Sequence, residues 1–246
     1  RTHRGVHPHD GHAPLLLRAL GLGIFDWLVK TKSGGLALSL SGGADSALCA
    51  ALTGYAMAAA LEDLGFEPLI ALLKDLFPYI QDPVVDHATF IRKKLMPRVL
   101  LTVYQASAVS GSITRAAAAG LAKDLGSSHH EWSVAGQIAG YEQLLREAGL
   151  LHDNVSPGRL DLALQNIQAR SRAPAVWLAA NLENRLLMVT CNASEDAVGY
   201  CTMDGDTAGG VAPLGGLSKS RILEINRRIA AAPLKVRGKC VFNLPA

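Results

Sequence analysis

Strand-like runs, most of them apolar, lie along this chain at 36–40, 69–73, 99–104, 129–133 and 185–190, each bounded by glycine, proline or a polar cluster. Runs of this length between breakers read as strands. Between them the apolar positions recur at helical spacing, which predicts helices at 14–30, 45–64, 83–95, 112–125, 134–148, 161–181 and 218–230. Gly65 and Gly126 stand where helix-ending glycines belong. Strands alternating with helices predict an α/β fold, a parallel five-stranded sheet with helices on both faces. Stretches 77–83 and 232–246 show no clear period and read as loops or lids.

Composition narrows the organisation. With 246 residues, 49% of them hydrophobic, the chain can bury the core of one large domain, so 1–246 reads as a single unit with an atypical tail at 231–246. The first twelve residues hold His3, His7, His9 and His12 among Gly, Pro and Asp, and read as a solvated flexible arm that could at most bind a transition metal weakly. A formal charge of +3 with 18% charged residues, evenly spread, argues against a nucleic-acid surface. The early apolar run at 15–29 is interrupted by Arg18 and Asp26 and lacks a small-residue cleavage pattern, and no other segment reads as a membrane span. Cys49, Cys191, Cys201 and Cys240 show neither metal-ligand spacing nor the density of a small secreted protein, so a reducing cytoplasm is the expected home.

Three polar constellations carry candidate chemistry. In the first, the apolar run ending at Leu40 gives way to Ser41, Gly42, Gly43, Ala44, Asp45 and Ser46, then to an alanine-rich helix. Two residues without Cβ let backbone approach a phosphate, and the helix opening near Asp45 favours an anion. Ser41 and Ser46 add hydroxyls, and Asp45 could hold the accompanying Mg²⁺. In the second, Thr190 opens a segment in which Glu195 could supply another carboxylate for Mg²⁺ and Lys219 could neutralise a departing pyrophosphate. Taken alone, Ser194, Glu195 and Asp196 also fit a plain helix cap. Both constellations follow predicted strands, where ligands of open parallel sheets collect. In the third, Asn166 and Arg170 share a helix face by their spacing of four, with Trp177 further along that side, although on spacing alone a solvated polar face is the better reading.

The first loop lacks both the Gly-Lys-Ser/Thr ending of Walker-type ATPases and Gly-x-Gly-x-x-Gly, and instead resembles the pyrophosphate loop of the N-type ATP pyrophosphatases. Taken with Val103-Tyr104-Gln105, Ser110 to Arg115, Asn166 to Arg170 and Ser194 to Asp206, residues 25–228 resemble the NAD⁺ synthetase family. The last motif is most like the synthetase domain of its long, glutamine-dependent forms. The resemblance implies a Rossmann-like adenine nucleotide alpha hydrolase fold and a homodimer with the dinucleotide site at its interface. It also implies ATP-dependent amidation of deamido-NAD⁺ to NAD⁺ through an acyl-adenylate, releasing AMP and pyrophosphate. By the same resemblance, Ser39, Leu40, Ser41, Gly42, Gly43, Ala44, Asp45, Ser46, Thr190 and Lys219 would hold ATP. Asp45 and Glu195 would ligate Mg²⁺, Asp45 and Lys219 would act in catalysis, and Asn166 and Arg170 would hold deamido-NAD⁺. With no room for a glutaminase domain ahead of Arg1, ammonia is the expected nitrogen donor, free or from another domain or subunit. Cys191 and Ala193 depart from the Gly and basic residue usual in long members, and a thiol there could crowd the nucleotide. The Pro-Thr/Ser-Ala-Glu/Asp-Leu segment that closes over the family's site is not recognisable after Ala230. Another adenylating synthetase of this loop class, or a nucleotide-binding homologue without turnover, is the alternative.

Overall fold

The computed structural model describes residues 12–74, 86–107, 110–152, 155–236, 239–242 and 244. Four strands, β1 (Leu36–Ser39), β2 (Leu100–Ala106), β3 (Ser128–Ser133) and β4 (Leu186–Leu187), form a parallel sheet in the order β3-β2-β1-β4. Around it lie α1 (His12–Thr31), α2 (Ala44–Leu64), α3 (Phe66–Leu73), α4 (His87–Phe90), α5 (Met96–Val99), α6 (Ser112–Leu125), α7 (Ala135–Glu147), α8 (Pro157–Ser171), α9 (Ala173–Leu182), α10 (Ala193–Val198) and α11 (Lys219–Ala231). A short π-helical turn, Ile91–Leu95, joins α4 to α5, and a separate antiparallel hairpin, β5 (Leu234–Val236) with β6 (Lys239–Phe242), follows α11.

Side chains alternate across a strand, so each sheet face collects every second residue. Leu36, Leu38 and Leu40 enter the larger core, shared with α1, α2, α6 and α11. Ala37 points the other way and sits in register with Leu101 and Leu187, all three packing with Val176 and Ala180 of α9. Both faces of β1 and β2 are therefore buried, as their apolar runs required, while the polar edge strand β3 stays largely exposed. Helix α2 is long and apolar enough to cross a bilayer by length and composition, which the sequence reading passed over, but 78% of its most apolar window is buried in this core.

Several expectations are corrected. The run 69–73, read as a strand, belongs to α3, so the sheet has four strands among the described residues rather than five. Leu69 and Leu73, four apart, are buried while Ala71, which a strand would place on their face, is exposed, the pattern of a helix. A short apolar run does not by itself distinguish the two structures. The helix expected at 161–181 is two helices, because Pro174 in the first turn of α9 lacks the N–H that a continuous helix needs and the chain turns at Arg172. Trp177 consequently leaves the Asn166–Arg170 face and packs beside the smaller core. The strand expected at 185–190 is short: Leu186 and Leu187 pair with Leu36 and Ala37 of β1, and Met188, whose N–H still donates to the Ala37 carbonyl, also bridges Val211. Gly65 and Gly126 do end their helices, at φ of +80° and +75°. The arm at 1–11 and the stretch 77–83 lie outside the described residues.

The tail is also not a lid. Leu234, Val236, Phe242 and Leu244 are buried in the larger core. A Cβ on Gly54 in the middle of α2 would lie 2.9 Å from the Phe242 ring and 3.0 Å from Leu125, so the glycine lets tail and α6 close on that helix.

From β1 the chain steps outward to β2 and β3, then returns to the far side of β1 as β4. The connections leaving β1 and β4 diverge, and the crevice at the carboxyl ends of these two strands is where a sheet of this topology takes a ligand.

Candidate active site

The loop after β1 is held in one shape by its own hydroxyls. Ser46 Oγ donates to the Gly43 carbonyl and lies 3.0 Å from Ser41 Oγ, while Ser41 Oγ accepts from the Gly43 N–H at 3.2 Å. Gly42 adopts φ +79°, and a Cβ there would fall 2.2 Å from the Thr114 carbonyl, so this position requires glycine for conformation and for space. Leu40 is fully buried in the core and its N–H donates to the Val103 carbonyl; it supports the loop from beneath. The Ala44 carbonyl accepts from Asn226 Nδ2 at 2.8 Å, which ties α11 to the loop.

Helix α2 then presents Asp45 to the segment after β4. Asp45 Oδ1 accepts from Asn192 Nδ2 at 2.9 Å, and Asp45 Oδ2 pairs with Lys219 Nζ, which also reaches Glu195 Oε1 at 3.3 Å. Asn192, completely buried, accepts from the Ser194 and Glu195 N–H groups, while Glu195 Oε2 accepts from the Asn192 N–H, a reciprocal cap on α10. Capping and carboxylate presentation are thus two tasks of the same residues. Partial burial pulls the Lys219 ammonium down, but the Asp45 and Glu195 carboxylates outweigh it and hold the group above its usual value. Two half-buried carboxylates already gather one cation, and their oxygen donors suit a hard divalent ion, so the site fits Mg²⁺.

A cavity of about 430 Å³ opens beside this cluster, lined by Ser39, Ser41 and Thr190 from the strand ends. Its floor is a relay: Trp132 Nε1 donates to Gln105 Oε1, and Gln105 Nε2 donates to Ser39 Oγ at 2.8 Å. Its wall includes Tyr104, 3.0 Å from Thr114 Oγ1, and Arg172. Arg172 was not singled out by spacing, because it stands off the 166/170 face and points inward only where the helix breaks. Burial lowers its guanidinium pKa, so an anionic ligand would be welcome there.

Asn166 and Arg170 do not line this cavity. Asn166 Oδ1 accepts from Thr202 Oγ1 at 3.0 Å and Arg170 Nε donates to the Met203 carbonyl at 3.0 Å, so both are fixed against the loop after α10. They border a second, apolar groove of about 590 Å³ between α7 and α8, with Tyr141, Leu144 and Leu145 along its edge. Asp45, Glu195, Lys219 and the Ser41 loop are thus brought together, and the Asn166–Arg170 pair lies on the adjoining side.

The cysteines carry a correction. Their spacing suggested no shared site, yet Cys191 Sγ and Cys201 Sγ both point to Asp196 Oδ1, at 3.2 and 3.4 Å. Helix α10 and the left-handed turn at Gly199 fold the chain back on itself. Cys191 does not line the cavity, so its thiol faces this cluster rather than crowding a nucleotide there. Burial, then Asp196, pushes the Cys191 thiol far up.

Residues 16–240 match the sequence family described as NAD synthase. A glutamine-dependent NAD(+) synthetase from Synechocystis sp. is 32% identical over 212 residues, covering 86% of this chain but 30% of that protein. A solved glutamine-dependent NAD(+) synthetase from Cytophaga hutchinsonii superposes with a TM-score of 0.82 at 36% identity, covering 90% of this chain and 38% of that one. An NH3-dependent NAD synthetase from Campylobacter jejuni shares the fold, with a TM-score of 0.61 at 21% identity over 88% of this chain and 73% of that one. The chain therefore spans about a third of the length of its glutamine-dependent relatives.

Proposed function

This chain belongs to the NAD synthase family, and from that premise we propose that it carries out the ATP-dependent amidation of deamido-NAD⁺ to NAD⁺. The observation that carries the reading is the Asp45–Lys219–Glu195 cluster, locked by buried Asn192 at the crevice between β1 and β4 and adjoining the 430 Å³ cavity. The Ser41 loop cradles the triphosphate, and Thr190 and the Gln105–Ser39 relay line the pocket that receives the rest of ATP. Asp45 and Glu195 would hold Mg²⁺, which supplies charge neutralisation for the phosphates. The nicotinate carboxylate attacks the α-phosphate, pyrophosphate leaves towards Lys219, and ammonia displaces AMP from the acyl-adenylate. Little acid–base work is needed, since positioning and charge neutralisation supply most of what such displacements require.

Asn166 and Arg170 take the dinucleotide on the adjoining side, with Arg172 meeting its anionic part from the cavity wall. A homodimer places this side at the subunit interface. Leu144 and Leu150, 60% and 64% exposed along the apolar groove, support it, because single soluble chains seldom leave such surface uncovered. Sedimentation should then give a mass near twice 26.0 kDa; a monomer at assay concentration would remove the interface.

The decisive assay supplies ATP, Mg²⁺ and deamido-NAD⁺ with either ammonium or glutamine and follows NAD⁺ and AMP together. Stoichiometric formation of both with ammonium is the expected result. AMP release with no NAD⁺ would point to another adenylating synthetase of this loop class, and neither product to a homologue without turnover. Arg170→Lys keeps the charge but loses the fork that reaches Met203. It should raise KM for deamido-NAD⁺ by about tenfold or more and leave that for ATP near its starting value. Equal weakening of both ligands would return this helix face to a solvated surface.

A further inference from the structure

We infer that Cys191, Asp196 and Cys201 form a zinc site, separate from the Asp45–Glu195 pair that suits Mg²⁺. Their ligand atoms all lie within 4.8 Å of one another, and both sulfurs converge on the same carboxylate oxygen at 3.2 and 3.4 Å. Ligand atoms on a tetrahedral zinc ion, with bonds of about 2.3 Å to sulfur and about 2.1 Å to oxygen, stand roughly 3.6–3.8 Å apart. The two sulfur–oxygen separations need only a few tenths of an ångström to admit the ion, and the two sulfurs, within 4.8 Å of each other, would close by at most about 1 Å. Two thiolates with one carboxylate select zinc over a hard ion such as Mg²⁺. Asp196 is exposed and Cys201 half-buried, so the fourth position opens to water, while buried Cys191 anchors the site to the chain leaving β4.

Binding releases both thiol protons to solvent and changes no oxidation state. The ion ties the start of α10 to the loop beyond it, the loop in which Thr202 contacts Asn166 and the Met203 carbonyl accepts from Arg170. It therefore acts as a clamp on a segment whose internal hold is otherwise a few hydrogen bonds. The assignment rests on these three side chains alone and stands or falls independently of the synthetase activity.

Cobalt(II), a spectroscopic stand-in for zinc, tests it on the full chain under reducing conditions. One equivalent should produce a thiolate-to-cobalt charge-transfer band with tetrahedral visible bands, and zinc should displace it. Cys191→Ser and Cys201→Ser should each abolish the charge-transfer band, and Asp196→Asn should weaken zinc at least about tenfold. The histidines at 3, 7, 9 and 12 can hold cobalt but cannot give a thiolate band. Zinc should also raise the thermal midpoint of the unaltered chain and protect Cys201 from alkylation, a readout that needs no variant. Cobalt uptake without a thiolate band overturns the proposal, as does a spectrum unchanged in the Cys191→Ser, Cys201→Ser protein. So does alkylation of Cys201 indifferent to zinc, or a Cys191–Cys201 disulfide formed with peroxide by a reduced chain that takes up no metal.

Discussion

Asp45→Asn and Glu195→Gln are each expected to lower AMP formation at least about 100-fold, about 3 kcal/mol of transition-state stabilisation, while the protein stays folded. Each change removes one negative charge and almost no volume. Asp45 holds Lys219 and accepts from Asn192, and Glu195 shares that lysine, so a neutral amide at either place lowers affinity for both the ammonium and Mg²⁺. Lys219→Met should produce a loss of similar size by leaving the departing pyrophosphate without its counter-charge. The competing account is structural. Gly43, not Asp45, is the residue that caps α2, so an Asp45 serving only the helix dipole would contribute about 0.3–1 kcal/mol of stability and nothing to turnover. Initial rates beside thermal melts separate the two: near-normal AMP formation in Asp45→Asn with a slightly lowered midpoint would refute the metal and lysine assignment.

Phe242→Ala should destabilise the fold by about 3–5 kcal/mol, the range for emptying a buried aromatic site. Phe242 is 1% exposed and rests against Gly54 of α2, in the space that Leu125 of α6 also approaches. Gly54→Leu should destabilise comparably from the opposite side, by overpacking the same contact. If the tail instead closed over the site as a lid, Phe242→Ala would raise KM for ATP or deamido-NAD⁺ and leave the denaturation midpoint unmoved. Chemical denaturation and steady-state kinetics on one preparation give both answers.

The elements that could be read from sequence are those whose signal is local. The loop at Ser41–Ser46 announces itself by glycines and hydroxyls between an apolar run and an alanine-rich helix, and it lies where that pattern predicts. Ser194, Glu195 and Asp196 read as a cap, but the residue that caps α10 is Asn192, and Glu195, which completes the reciprocal cap, also aims a carboxylate at Lys219. The strand expected at 69–73 failed because four or five apolar residues do not reveal whether burial will be on two sides or one. Arg172 escaped because a face drawn at helical spacing assumes that the helix continues, and Pro174 ends it. The tail escaped because a short hairpin with one irregular register carries too little alternation to be seen.

By itself the sequence determined the types of chemistry available and the strand-to-helix junctions at which they stand, since backbone preferences and side-chain donors travel with the residue. Which groups meet was decided by the tertiary structure. Asp45 and Lys219 are 174 residues apart and become partners because β4 returns to the far side of β1 and α11 packs on α2. Cys191 and Cys201 share a carboxylate because α10 ends in a left-handed turn at Gly199. Such encounters depend on the sum of core burial over many residues, which no local window of the chain contains.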